Sequence, residues 1–120
     1  MLKMTRKYTD FNGVEREEDF YFNFTQAEVA EMELGVTGGF SEMLKTIIAT
    51  KDIPALSQIF KDLVLKAYGV KSSDGRRFIK TDELRAEFSQ TQAYSDLYME
   101  LASDDKAAAD FINAVLPKVD

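Results

Sequence analysis

Residues 2 to 24 carry the strongest constraint on the fold, because their apolar side chains fall on even positions on both sides of an Asn12-Gly13 turn signal. Leu2, Met4 and Tyr8 precede the turn; Val14, Phe20, Phe22 and Phe24 follow it. Alternation of this kind marks strands at 2 to 9 and 14 to 24 with one apolar face each. A two-residue Asn-Gly turn would set Phe11 against Val14 and oppose even positions to odd ones, placing the two apolar sets on opposite faces. A three-residue loop, Phe11-Asn12-Gly13 with Gly13 left-handed, pairs Met4 with Phe20 and Leu2 with Phe22 instead, so the faces agree. That register also sets Lys7 opposite Glu17 and Arg6 opposite Glu18, pairs of opposite charge that favour the alignment.

A two-stranded hairpin is marginal alone in water, so helices must cover its Phe-rich face. Thr25 and Glu28 form a capping box that starts a helix through about Leu34, and Val36-Thr-Gly-Gly breaks it. Phe40, Met43, Leu44, Ile47 and Ile48 repeat at helical spacing over 40 to 50. Asp52 and Pro54 open a third helix whose stripe is Ile53, Leu56, Ile59, Phe60, Leu63, Val64 and Ala67, with Gly69 as C-cap. Residues 70 to 80 carry Ser-Ser-Asp-Gly turn chemistry and a short extended piece around Phe78 and Ile79. Thr81 caps a helix containing Leu84 and Phe88, and residues 92 to 102 place Tyr94, Leu97, Tyr98 and Leu101 on one face. Ser103 caps the last helix, about 104 to 116, which turns Phe111 and Val115 inward and stops at Pro117. The expected architecture is α+β: an N-terminal antiparallel β-hairpin packed on a bundle of about five or six helices. No internal repeat or linker divides the chain, so 1-120 is expected to be one domain.

Composition narrows the chemistry. The chain has no cysteine and no histidine, which removes disulfides, thiolates and the commonest general base and metal ligand. A net charge of -6 repels nucleic acid and anionic membrane on average. No apolar run reaches membrane-spanning length and the N-terminus lacks a signal-peptide centre, so a cytoplasmic protein is expected. Glu17-Glu18 lies on a strand where neighbours point to opposite faces, and Asp104-Asp105 suits the first turn of a helix, so neither pair reads as acid and base. SSDGRR has neither the glycine spacing nor the trailing residues of a P-loop; its better reading is an Asp74-Gly75 turn with Arg76 and Arg77 paired to the acidic surface or to a partner carboxylate. No enzyme, metal site or cofactor is expected.

Apolar residues left over after each stripe is assigned to the core suggest a contact surface. Leu65 lies opposite its helix stripe, flanked by Gln58, Lys61 and Asp62; Met99 lies off the Tyr94-Leu97-Tyr98-Leu101 face; Val29, Met32 and Val36 mark a face turned away from Ala27, Ala30 and Leu34. The other reading of these residues is that their helices are sandwiched within the core.

In order and spacing, FYFNFTQAEVAEMEL, GGFSEML, IFKDLVLKAYGVKSSDGRRFIK, QTQAYSDLYMEL and the closing DFINAVLPK resemble the tail assembly chaperones of long-tailed phages with a noncontractile tail. The likeness runs along nearly the whole chain. It implies a protein of the host cytoplasm, absent from the mature virion, made in two lengths by a ribosomal frameshift and resembling here the shorter form. It also implies binding to the tape measure protein, help in recruiting tail tube subunits, and possible self-association. The alternative function is a permanent structural part of the particle, such as a connector or tail completion protein.

Overall fold

In the computed structural model, residues 1–35, 39, 42, 49 and 53–117 are described. Apart from residues 42 and 49, the expected helix at 40 to 50 lies outside the described residues, as do the Asp52 cap and Val36. Strands β1 (Leu2–Thr9) and β2 (Glu15–Phe22) form the hairpin, with Leu2 facing Phe22, Met4 facing Phe20, Arg6 facing Glu18 and Lys7 facing Glu17. The three-residue loop is therefore the one adopted. Gly13 takes φ 80° and donates its N–H to the Asp10 carbonyl, while the Asp10 N–H bonds the Val14 carbonyl. Asp10 also accepts from the Asn12 and Val14 N–H groups, tying the loop from within. A Cβ at Gly13 would meet no atom within 4 Å, so Gly13→Ala is resisted by the backbone conformation alone. We expect a loss of about 1 kcal/mol, read from the shift in a urea unfolding midpoint at unchanged slope; a loss too small to measure would contradict the left-handed loop.

One expected pair is redirected. Lys7 does face Glu17, with Nζ 3.8 Å from Oε2. Arg6 stands opposite Glu18 in the ladder, but its side chain lies on the covered face and reaches Glu100, 3.1 Å away, while Glu18 accepts from the Tyr8 hydroxyl. A helix packed under the sheet offers Arg6 a carboxylate that strand pairing by itself does not.

After the hairpin, Thr25 caps α1 (Gln26–Leu34) in the expected box: the Glu28 N–H bonds the Thr25 hydroxyl and the Thr25 N–H bonds the Glu28 carboxylate. Helix α2 (Ile53–Ala67) runs directly into β3 (Tyr68–Lys71), which pairs with β2 through Gly69 opposite Tyr21 and with β4 (Phe78–Ile79). Gly69 is thus a strand residue and not the C-cap of α2. A side chain there would lie 2.8 Å from the Phe78 ring and 2.9 Å from the Ile79 carbonyl, so close packing of β4 on β3 requires glycine. Three helices follow: α3 (Asp82–Ser89) capped by Thr81, α4 (Gln92–Ser103) capped by Thr91, and α5 (Asp105–Val115). The cap of α5 is Asp104, which accepts from the Lys106 and Ala107 N–H groups. Ser103 instead ends α4, its hydroxyl bonding back to the Met99 carbonyl.

The strand order is β1-β2-β3-β4, and with five helices among the described residues the molecule is α+β, as expected. The core joins Phe22 and Phe24 with Leu63, Val64, Ala67, Phe88, Leu97, Leu101, Phe111 and Val115. Tyr68 stacks on Phe88 with ring centres 4.1 Å apart, tying β3 to α3. Two backbone bonds close the structure across long loops: Asn23 N–H to the Ala67 carbonyl and Phe24 N–H to the Val115 carbonyl.

Candidate functional site

Between α1 and α2 lies an open groove of about 530 Å3, lined among the described residues by Phe24, Met32, Ile59 and Leu63 with Glu28, Glu31, Asp62, Lys66 and Arg85 around them. Two sequence features shape it. The capping box fixes where α1 starts and how it leaves the hairpin. The stripe of α2 then presents Ile59 beside buried Leu63. The result is an apolar floor with charges of both signs on its rim, the form of surface that receives an amphipathic helix.

Behind the groove sits a pair of opposite charges. Lys80, its side chain only 10% exposed, donates from Nζ to the Asn23 carbonyl at 2.6 Å and to Glu28 Oε2 at 2.7 Å. Its ammonium also lies 4.7 Å from the centre of the Phe24 ring. Burial pushes the Lys80 pKa below its ordinary value, against the opposing pull of Glu28. Burial pushes the Glu28 carboxyl up, but the bonds from Lys80 and the Thr25 backbone together outweigh it and hold that carboxyl below its ordinary value. Through this contact with Lys80, Glu28 ties the start of α1 to the end of β4. Arg85 bonds Asp82 through Nη1 at 3.2 Å and leaves its Nε buried with no hydrogen-bond partner among the described residues.

The residues singled out from sequence do not form one patch. Met32 lines the groove, and both Val29 and Met32 pack against the core, while Ala27, Ala30 and Leu34 point outward, Leu34 being 89% exposed. The expected orientation of α1 is thus reversed: its apolar residues are spread almost evenly around the helix, so the core it meets, and not its own pattern, turns Val29 and Met32 inward. Leu65 is partly buried and packs against the core, whereas its expected neighbours Gln58, Lys61 and Asp62 are exposed as read. Met99 stands on the solvent side of α4, 59% exposed. Val36 lies outside the described residues. Arg76 and Arg77 are exposed and make no ion pair among the described residues, while Asp74 closes the turn by accepting from the Ser72 hydroxyl and the Arg76 N–H. Phe24, Ile59, Leu63 and the charged rim were not anticipated as a site. The local signals were the capping box that places Glu28 and the helix stripe that carries Ile59 and Leu63, but nothing along the chain joins the two.

Among the described residues no cluster of acidic side chains converges as a metal would require, and no helix is long and apolar enough to cross a membrane. A family described as phage tail assembly chaperone matches residues 1–119. No curated protein and no solved structure matches the chain.

Proposed function

The chain belongs to the phage tail assembly chaperones, and on that premise we propose that it transiently binds the tape measure protein and helps recruit tail tube subunits while the tail grows. The observation that supports this reading is the α1–α2 groove: an apolar floor of Phe24, Met32, Ile59 and Leu63 beside exposed, mixed charge. A tape measure protein has long apolar helical faces that aggregate unless covered before the tube encloses them. Such a face fits a groove of this kind, and a rim of opposed charges sets orientation without demanding high affinity. Release by arriving tube subunits then requires no nucleotide. The reading places the protein in the host cytoplasm, without catalysis or cofactor, and outside the finished virion.

Co-expression with the tape measure protein tests it. Wild-type chain is expected to bring that protein down in soluble form, and Met32→Lys or Asp62→Lys to reduce the captured amount roughly tenfold. Melting curves recorded in parallel separate lost binding from lost folding, with the exposed Asp62 position as the safer one. Undiminished capture by both variants would remove the groove from the proposal, and attention would move to Met99. Mass spectrometry of purified virions distinguishes the structural alternative, in which the chain is present stoichiometrically.

A further inference from the structure

We propose that the open edge of β1 is a docking site for an acidic, extended segment of another protein, which adds to the sheet as an antiparallel strand. β1 is the first strand of the order β1-β2-β3-β4, so one of its edges pairs with β2 and, among the described residues, no strand pairs with the other. The loop geometry says which backbone groups are left. The bond from Asp10 N–H to the Val14 carbonyl makes that a hydrogen-bonded pair, and alternation along an antiparallel ladder then turns the backbone groups of Tyr8, Arg6, Met4 and Leu2 toward β2. The N–H and C=O groups of Lys3, Thr5, Lys7 and Thr9 consequently face outward. Their side chains form the exposed row of the strand. One of these carbonyls, that of Thr5, also accepts from Arg6 Nη1 at 3.0 Å; a carbonyl has a second lone pair.

The strand is eight residues long, with no proline and no bulge, so the edge is a template for pairing. Charge decides with what. β1 carries Lys3, Arg6 and Lys7 and no acidic residue. A second copy of β1, paired antiparallel about Thr5, would set Lys3 against Lys7 twice, so the lysines oppose self-pairing. A strand with carboxylates opposite them is favoured. The molecule already contains an example, since β2 supplies Glu17 to Lys7 and Asp19 to Lys3 at 3.8 and 3.6 Å. Both pairs are long and exposed, which leaves each ammonium able to turn to a carboxylate on its other side. The segment expected is one with acidic residues facing Lys3 and Lys7.

The test uses the full chain and, as probe, a capped synthetic peptide of sequence EREEDFYF, that of β2 itself. Titration followed by amide NMR is expected to shift the Lys3, Thr5, Lys7 and Thr9 N–H signals first, with affinity falling as salt is raised. Thr5→Pro deletes an outward N–H and keeps the backbone bonds between β1 and β2, losing besides only the exposed bond from the Thr5 hydroxyl to Asp19, so it should abolish binding with a small fall in melting temperature. Lys3→Glu with Lys7→Glu is expected to weaken binding roughly tenfold and to transfer preference to a peptide whose acidic residues are replaced by lysine. If Thr5→Pro does not fold, the charge-reversed chain alone decides. No shift at these four amides, or binding indifferent to the charge reversal, overturns the proposal. Groove variants such as Asp62→Lys should leave peptide binding unchanged, so failure here and failure of the tape measure reading are told apart.

Discussion

Phe22→Ala is expected to cost about 4 kcal/mol of folding stability. Phe22 is fully buried, and its ring lies 5.9 Å from Tyr68, 5.9 Å from Phe88 and 5.4 Å from Phe111. One side chain therefore joins the hairpin to β3, α3 and α5. Truncation removes its transfer energy and also strands three aromatic neighbours around a cavity that helices from different parts of the chain cannot easily close. A domain of this size has only about 5 to 15 kcal/mol in total, so the variant should unfold at markedly lower denaturant. Phe11→Ala is the internal control: Phe11 is 78% exposed at the hairpin tip, and its loss should change stability by about 0.5 kcal/mol or less. Denaturant titrations of the two variants should separate clearly. Equal midpoints would mean that the hairpin does not pack as described.

Glu28→Gln should destabilise the protein by about 2 kcal/mol. Glutamine keeps an oxygen for the Thr25 N–H, so the capping box is largely preserved and the loss reports the Lys80 pair. Breaking a fully buried pair commonly costs more, but Glu28 is 34% exposed and water screens part of the interaction. Lys80 still has the Asn23 carbonyl and the Phe24 ring. The pH dependence has a definite sign. The folded-state pKa of Glu28 is lowered, so its contribution is present above the ordinary value of 4.5 and is lost as pH falls through the folded value. Wild type and Glu28→Gln should therefore converge in stability below that range and differ most near neutrality. For Lys80 the folded pKa is also lowered, chiefly by burial, so the folded state releases its proton first. Stability from that group rises as pH climbs from the folded value to the ordinary 10.5. A difference between the two proteins that stays constant from neutral pH to pH 3 would contradict the assignment.

Read on its own, the sequence determined whatever depends on neighbours along the chain. The hairpin register followed from the even-position pattern, the Gly13 loop and the Lys7–Glu17 pairing, because pleat, turn and charge all act within about twenty residues. Thr25, Thr81 and the inward faces at Leu97, Phe111 and Val115 were legible for the same reason: a cap or a stripe repeats with the helix. The resemblance that led to the family was likewise carried by linear motifs. Other features were decided only when distant segments met. YGVK reads locally as the end of a helix at a glycine, yet β2 offers Tyr68–Lys71 an edge to pair with, and ladder bonds outweigh the weak local preference. Helix α1 is too evenly patterned to say which side turns inward, so the packing of Val29 and Met32 was set by the core they fill. Arg6 left Glu18 for Glu100 because α4 lies beneath the sheet. The groove is the clearest case. Ile59 and Leu63 share one helix stripe, but Phe24, Met32 and Arg85 come from three other parts of the chain, and only the tertiary structure sets them all side by side.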